Sequence, residues 1–383
     1  MGIIVLRFAV LSLSIALILA MLPVVSFAEE VHHAAPVGSY GGIMNPDVSA
    51  VVNTNLLFSD NRDNELKDKV MMKEAELAFQ SYLYPGVYGN FIYSIHMHDN
   101  EWKAHPEEAY VSFLDLPLGF QLTVGRKLIG IGKLNAIHTH HWSFASSPLV
   151  IENFFGHPWF DDGLTLDWLV PNPWDIYFKV AAGVQNGTVP HHEEEADTTT
   201  GCAMRNMVWH GKAYTLRANL DIPFGALSNA VIGYSAAMDE GYLGYKTTLQ
   251  TVDLTITYRR PVSYKKVKWQ SEVFFSSVKD NNQYSPYGLY SMLKLTLSKY
   301  WELGVRYDMS EFFHNLKGEC DLDCRYGRLK EYGGSAFMSY YFTHSMYLRG
   351  EYRYLVNRED KKENQFIMQL VWGLGPHAHR LED

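Results

Sequence analysis

After Asn45 the chain alternates apolar and polar positions. Val48, Ala50, Val52, Leu56 and Phe58 share one face of an extended segment, and Ala75, Leu77 and Phe79 share another. Phe91, Tyr93, Ile95 and Met97 interleave with Asn90, Ser94, His96 and His98. Leu164, Leu166 and Trp168 flank Thr165 and Asp167; Val252, Leu254, Ile256 and Tyr258 flank Asp253, Thr255 and Thr257. The habit runs on to Phe366, Met368, Leu370 and Trp372. A period of two with one apolar and one polar face predicts strands.

The breaks between these segments alternate in length. Short turns fall at 84–86, 116–119, 171–175, 223–228 and 343–345. Longer polar loops fall at 59–70, 99–106, 128–162, 186–208, 239–249, 279–286, 312–331 and 357–364. This spacing predicts about 16 antiparallel strands, with 14 and 18 as the neighbouring even counts. A soluble β-sandwich would also alternate. It would have no reason to gather its long loops at one end or to repeat aromatics near strand ends. A transmembrane barrel does both: lipid satisfies no backbone group, so the sheet must close, with short periplasmic turns and long outer loops. The expected fold is an all-β, transmembrane, antiparallel up-and-down barrel over 46–376, with its third outer loop folded into the lumen.

The ends and the composition fit this picture. Arg7 precedes a long apolar run that ends at Val25-Ser26-Phe27-Ala28, which reads as a signal peptide over 1–28. Residues 29–45 are expected to form a short periplasmic segment and 377–383 a tail. No later stretch is long and apolar enough for a membrane helix. Aromatic residues make up 14% of the chain, and the net charge of −9 excludes a basic nucleic-acid surface. Cys320 and Cys324 are close enough to close a small loop in an oxidising compartment, leaving Cys202 over; two free thiols are the alternative.

With the apolar face outward, charges of both signs face inward. Glu74, Glu76, Glu108, Lys179, Arg217, Glu272, Arg306, Arg349 and Arg353 are the expected pore-lining charges. They either pair across the lumen to stiffen the wall or set up a transverse field that orients solutes. The longest loop contains "NAIHTHHWSFASSPLVIENFFGHPWF" (135–160). Trp142, Phe144, Phe154, Phe155, Trp159 and Phe160 are too apolar for water, so this loop is expected to pack inside the barrel. Asn135, Trp142, Asn153, Phe154 and Phe155 are its expected constriction residues. His138 and His140, two apart, point the same way in an extended segment, with His141 adjacent. Imidazole is a common zinc ligand. With His191 and His192 in the next loop, beside "EEEAD", these are candidate sites for transient divalent cations; local hydrogen bonding that holds the loop is the plainer role. No resident cofactor is expected.

The stretch 124–174, with Asn135, His138 to His140, Pro148 to Val150, Asn153 to Gly156, Asp161 to Gly163 and Pro171 to Pro173, resembles a family of bacterial outer-membrane proteins. "NPDVSAVVN", "KEAELAFQ" and "WGLGPHAH" look like the same family. Its members are often labelled zinc-regulated TonB-dependent outer-membrane receptors. The resemblance implies an outer-membrane transport protein linked to metal supply, here porin-like and without a plug domain, since only 29–45 precede the first strand. The expected function is a passive or weakly selective channel for small polar solutes or metal ions, with outer-membrane lipid around it and a homotrimer as the analogous assembly. A non-conducting, surface-binding or adhesive barrel is the alternative. An enzyme is not expected: His210, Asp253, Ser271 and His314 lie on separate segments, with no spacing that favours a catalytic group.

Overall fold

The computed structural model describes residues 46–61, 64, 66–98, 101–188, 209, 211–240, 246–279, 285–311, 330–357 and 360–376. The expected signal peptide, periplasmic segment and tail lie outside these residues, as do the three cysteines and His191, His192, His210 and His314. The alternating segments form sixteen strands: β1 (Asp47–Ser59), β2 (Lys69–Tyr84), β3 (Val87–His98), β4 (Glu101–Leu116), β5 (Phe120–Leu128), β6 (Phe160–Leu169), β7 (Tyr177–Gln185) and β8 (Ala213–Gly225). The second half holds β9 (Ser228–Asp239), β10 (Lys246–Arg259), β11 (Lys266–Lys279), β12 (Tyr287–Thr296), β13 (Trp301–Glu311), β14 (Lys330–Thr343), β15 (Met346–Val356) and β16 (Lys362–Leu374). Each pairs antiparallel with its neighbours in sequence, and β1 pairs with β16 to close the barrel, with Val52 opposite Trp372.

The alternation separates two environments. On β10, Thr251 and Asp253 are fully buried, while Val252 between them is 46% exposed. On β6, Leu164 and Leu166 face out and Thr165 and Asp167 face in. This is inverted relative to a soluble protein. The apolar side chains form the outer surface, and the polar ones line the inside.

One outer connection departs from the expected pattern. Residues 101–106, expected in a loop, belong to β4, with His105 opposite Ser94 and Trp102 opposite Met97. The polar residues Glu101, Lys103 and His105 resemble a loop by composition, but cross-strand pairing overrides composition.

The interior is not an open tube. The segment 129–159 turns inward and carries a seven-residue helix, α1 (Leu149–Phe155), packed against β12, β13 and β14. Ile131, Val150, Ile151, Phe154, Phe155 and Trp159 of this segment are fully buried. With Phe274, Tyr290, Met292 and Phe337 from the wall they belong to the largest apolar cluster among the described residues. Each such burial contributes about 1.5–3 kcal/mol.

Candidate functional site

The inward loop is held to the wall by side chains that accept from its amides or donate to its carbonyls. Glu272 on β11 accepts from the amides of Lys133 and Leu134, both at 2.9 Å, and from the Tyr290 hydroxyl. Glu351 on β15 accepts from the Ala145 and Ser146 amides and, at 2.6 Å, from the Ser146 hydroxyl. Arg306 donates to the Ser146 carbonyl at 2.8 Å and lies 4.0 Å over the Phe144 ring. Arg353 donates to the Ser147 carbonyl at 3.1 Å, and the Tyr347 hydroxyl donates to the His140 carbonyl at 2.7 Å. Asn135 closes the neck: its amide donates to the Ile129 and Trp159 carbonyls and its oxygen accepts from the Trp159 amide. Asn153 reaches Glu331 at 3.4 Å, while Trp142 donates to the Leu134 and Ile137 carbonyls.

At one point this contact changes character. Glu74 and Glu76 point inward from β2. On β4 a bulge intervenes: Ile92 pairs with Glu108, but Tyr93 pairs with Pro106, leaving Glu107 as the extra residue. Glu107 and Glu108 are therefore both buried. The loop brings His138 and His140 against these four carboxylates. His138 Nδ1 lies 3.2 Å from Glu76 Oε1 and 3.5 Å from Glu107 Oε2, and its Nε2 lies 3.8 Å from Glu108 Oε2. His140 Nδ1 lies 3.2 Å from the same Glu76 Oε1 and 3.8 Å from Glu74 Oε2.

Hydrogen bonding does not account for this arrangement. Glu74 accepts from the Thr139 hydroxyl and Glu108 from the Asn90 amide. Glu76 is 1% exposed, yet neither of its oxygens accepts a hydrogen bond, and neither ring nitrogen of His138 makes one. Buried polar atoms left in this state are costly unless something else satisfies them. Two groups, Glu74–Glu76–His140 and Glu76–Glu107–His138, each place one ligand atom per residue within 4.8 Å of the others. Ligands at zinc distances on a tetrahedron lie about 3.3 Å apart, close to the separations around Glu76. Without a cation the imidazoles carry the compensating charge. Burial alone would favour neutral rings. The Glu76 charge outweighs it, raising His138 well above the usual histidine value and His140 to about 9.

The structure distributes the other candidates as follows. His141 packs at a tilt against His140, with ring centroids 4.2 Å apart, and lines an adjoining cavity. Lys179 and Arg217 pair with Asp167 and Asp253, at 2.8 and 3.0 Å. Arg349 is buried against Ser339 and Gln369. Glu272, Arg306 and Arg353 hold the loop. Glu107 escapes a reading by strict alternation. Its signal is Pro106, because proline inside a strand marks an edge or a bulge.

No family model matches the chain. A protein of Aquifex aeolicus (strain VF5), described only as uncharacterized, is 25% identical over 318 residues, covering 71% of this chain. The chain spans 62% of the length of that relative. Among solved structures, the anion-selective porin from Comamonas acidovorans matches with a TM-score of 0.57 at 12% identity, covering 86% of this chain and 99% of that one. The trimer form of in-vitro folded OmpT, an outer-membrane protein of Vibrio cholerae, matches with a TM-score of 0.53 at 11% identity, covering 86% and 99%. The closed 16-stranded sheet with an apolar exterior has the fold of porin-like outer-membrane barrels. The chain is a barrel of the bacterial outer membrane.

Proposed function

We propose that this barrel is an outer-membrane channel for small polar solutes, and that divalent cations such as zinc bind where its inward loop meets the wall. The observation that carries the metal part is the set of side chains around Glu76: two histidines from the loop and acidic groups from β2 and β4 gather around one buried carboxylate, whose Oε1 lies 3.2 Å from both imidazoles. A borderline cation of this kind takes imidazole and carboxylate ligands together. The porin-like fold supports the channel part, and the trimer form of the Vibrio protein makes a homotrimer the assembly to test by cross-linking in membranes.

The test is single-channel conductance of the refolded barrel in a planar bilayer, with and without micromolar zinc. Zinc is expected to block or reduce the current of the natural chain. Alanine at His138, His140 and His141 is expected to relieve the block while potassium current persists. Zinc behaviour that survives these replacements removes the metal part. Complete absence of conductance steps favours the second reading, a non-conducting surface-binding barrel. The apolar cluster that the loop builds across the lumen is the observation behind that reading.

A further inference from the structure

A cavity of about 470 Å³ lies between the loop and the inner wall of β4 to β8, β11 and β12. A ligand pocket typically spans about 300–1,000 Å³. Five basic side chains line it, Lys127, Lys133, Lys179, Arg217 and Lys268, against the acidic Glu108 and Asp167. Lys179 is neutralised by Asp167 and Arg217 by Asp253. Lys127 on β5 and Lys133 on the loop have no hydrogen bond or ion pair from their ammonium groups among the described residues; Asp167, Glu108, Asp253 and Glu272 act on them only at longer range. Two ammonium groups from different elements therefore line one cavity without a counter-charge in contact. Drawing charges out of water is unfavourable unless a partner is supplied.

The remaining lining narrows the ligand class. Leu134, Ile137, Trp142 and Met292 present apolar surface, while Gln185 and Gln270 present amides. Separated cations over an apolar floor suit an anion with a carbon skeleton and spaced carboxylates better than a compact phosphate. The cavity also adjoins the metal cluster, because His138 and Glu108 line both. We infer that the cavity binds a small di- or tricarboxylate at Lys127 and Lys133, so that the channel receives a divalent cation together with its carboxylate chelator. The joint cargo rests on the metal reading above; the carboxylate site does not.

Isothermal titration of the full refolded chain in detergent micelles tests this, with zinc alone, citrate alone, zinc–citrate and inorganic phosphate as probes. Citrate is expected to bind the natural chain and to bind Lys127→Gln/Lys133→Gln about tenfold or more weakly, the scale of a lost hydrogen bond to a charged group. Lys127→Arg/Lys133→Arg is expected to restore binding. Zinc alone is expected to bind the natural chain and the glutamine variant alike, and zinc–citrate to bind the natural chain more tightly than either probe alone. Equal citrate affinity in the natural chain and the glutamine variant, or no citrate binding, overturns the site. Phosphate binding as tight as citrate overturns the assignment to a carboxylate with a carbon skeleton. If citrate binds as expected but zinc alone does not, the joint cargo and the metal reading fall together while the carboxylate site stands.

Discussion

Glu76 is the residue on which the loop–wall contact turns. Its Oε1 is 3.2 Å from a ring nitrogen of both His138 and His140. Because the carboxylates raise both histidines above their ordinary value, the rings are protonated at neutral pH and must lose those protons before they ligate a cation. Zinc binding at pH 7 is therefore expected to release protons and to strengthen as pH rises towards about 9, the value for His140. Titration calorimetry in two buffers of different ionisation enthalpy measures the release; identical heats in both would contradict it. Glu76→Gln is expected to weaken zinc binding more than His138→Ala alone, since it removes the carboxylate charge common to both ligand groups. At this scale the sequence offered the two histidines as neighbours on an extended segment; in the structure Thr139–His141 is a 3-10 turn, and it is this turn and its packing, not a period of two, that bring both rings to Glu76. Three of their four carboxylate partners were legible. Glu74, Glu76 and Glu108 follow from alternation, but Glu107 turns inward through a bulge that alternation denies.

The inward loop is an element without regular repeat, and its position follows from burial and anchoring. Its aromatic content announced that it would leave water, and the apolar cluster within the barrel is the outcome. The short helix α1 was not legible: seven residues between Pro148 and Gly156 are too few to show a period of 3.6. The anchors were not legible either, since an inward Glu reads the same whether it faces water or two amides. Glu351→Ala is expected to free the Ala145 and Ser146 amides, at a cost of about 1–3 kcal/mol for each one left unsatisfied, while Arg306 keeps Asp308 at 2.9 Å. Hydrogen exchange over residues 143–148 should quicken, and unchanged protection would show that Glu351 does not hold the loop. At Gly132, φ is +69° and an added Cβ would collide with Glu272. Gly132→Ala should therefore loosen the same loop at its other end, read as faster exchange at the Lys133 and Leu134 amides.

For the molecule as a whole, the division into two faces was the most legible feature, because every second residue reports its side. Strand count followed from the turns. Its weak point was the connection after β3, where a polar strand passed for a loop. The division makes opposite predictions for the two faces of one strand. Val252→Arg on the exterior of β10 is expected to lower folding stability in lipid by about 2–4 kcal/mol near the midplane, measured by urea titration in vesicles. Thr255→Ser on the interior of the same strand should change it little. Equal effects would mean that the exterior does not face hydrocarbon.

The seam between β1 and β16 imposes an order on assembly. The two strands that join are the first and last of the barrel, so the cylinder stays open until its final strand is in hand. The loop from 129 to 159 enters the sequence long before that, yet it ends up enclosed, with contacts from β2 round to β15. Threading a bulky aromatic segment into a finished ring is harder than wrapping a ring around it. The lumen is therefore expected to fill while the wall is still a curved, unjoined sheet, and a crosslink that joins β1 to β16 before folding is expected to keep the loop out.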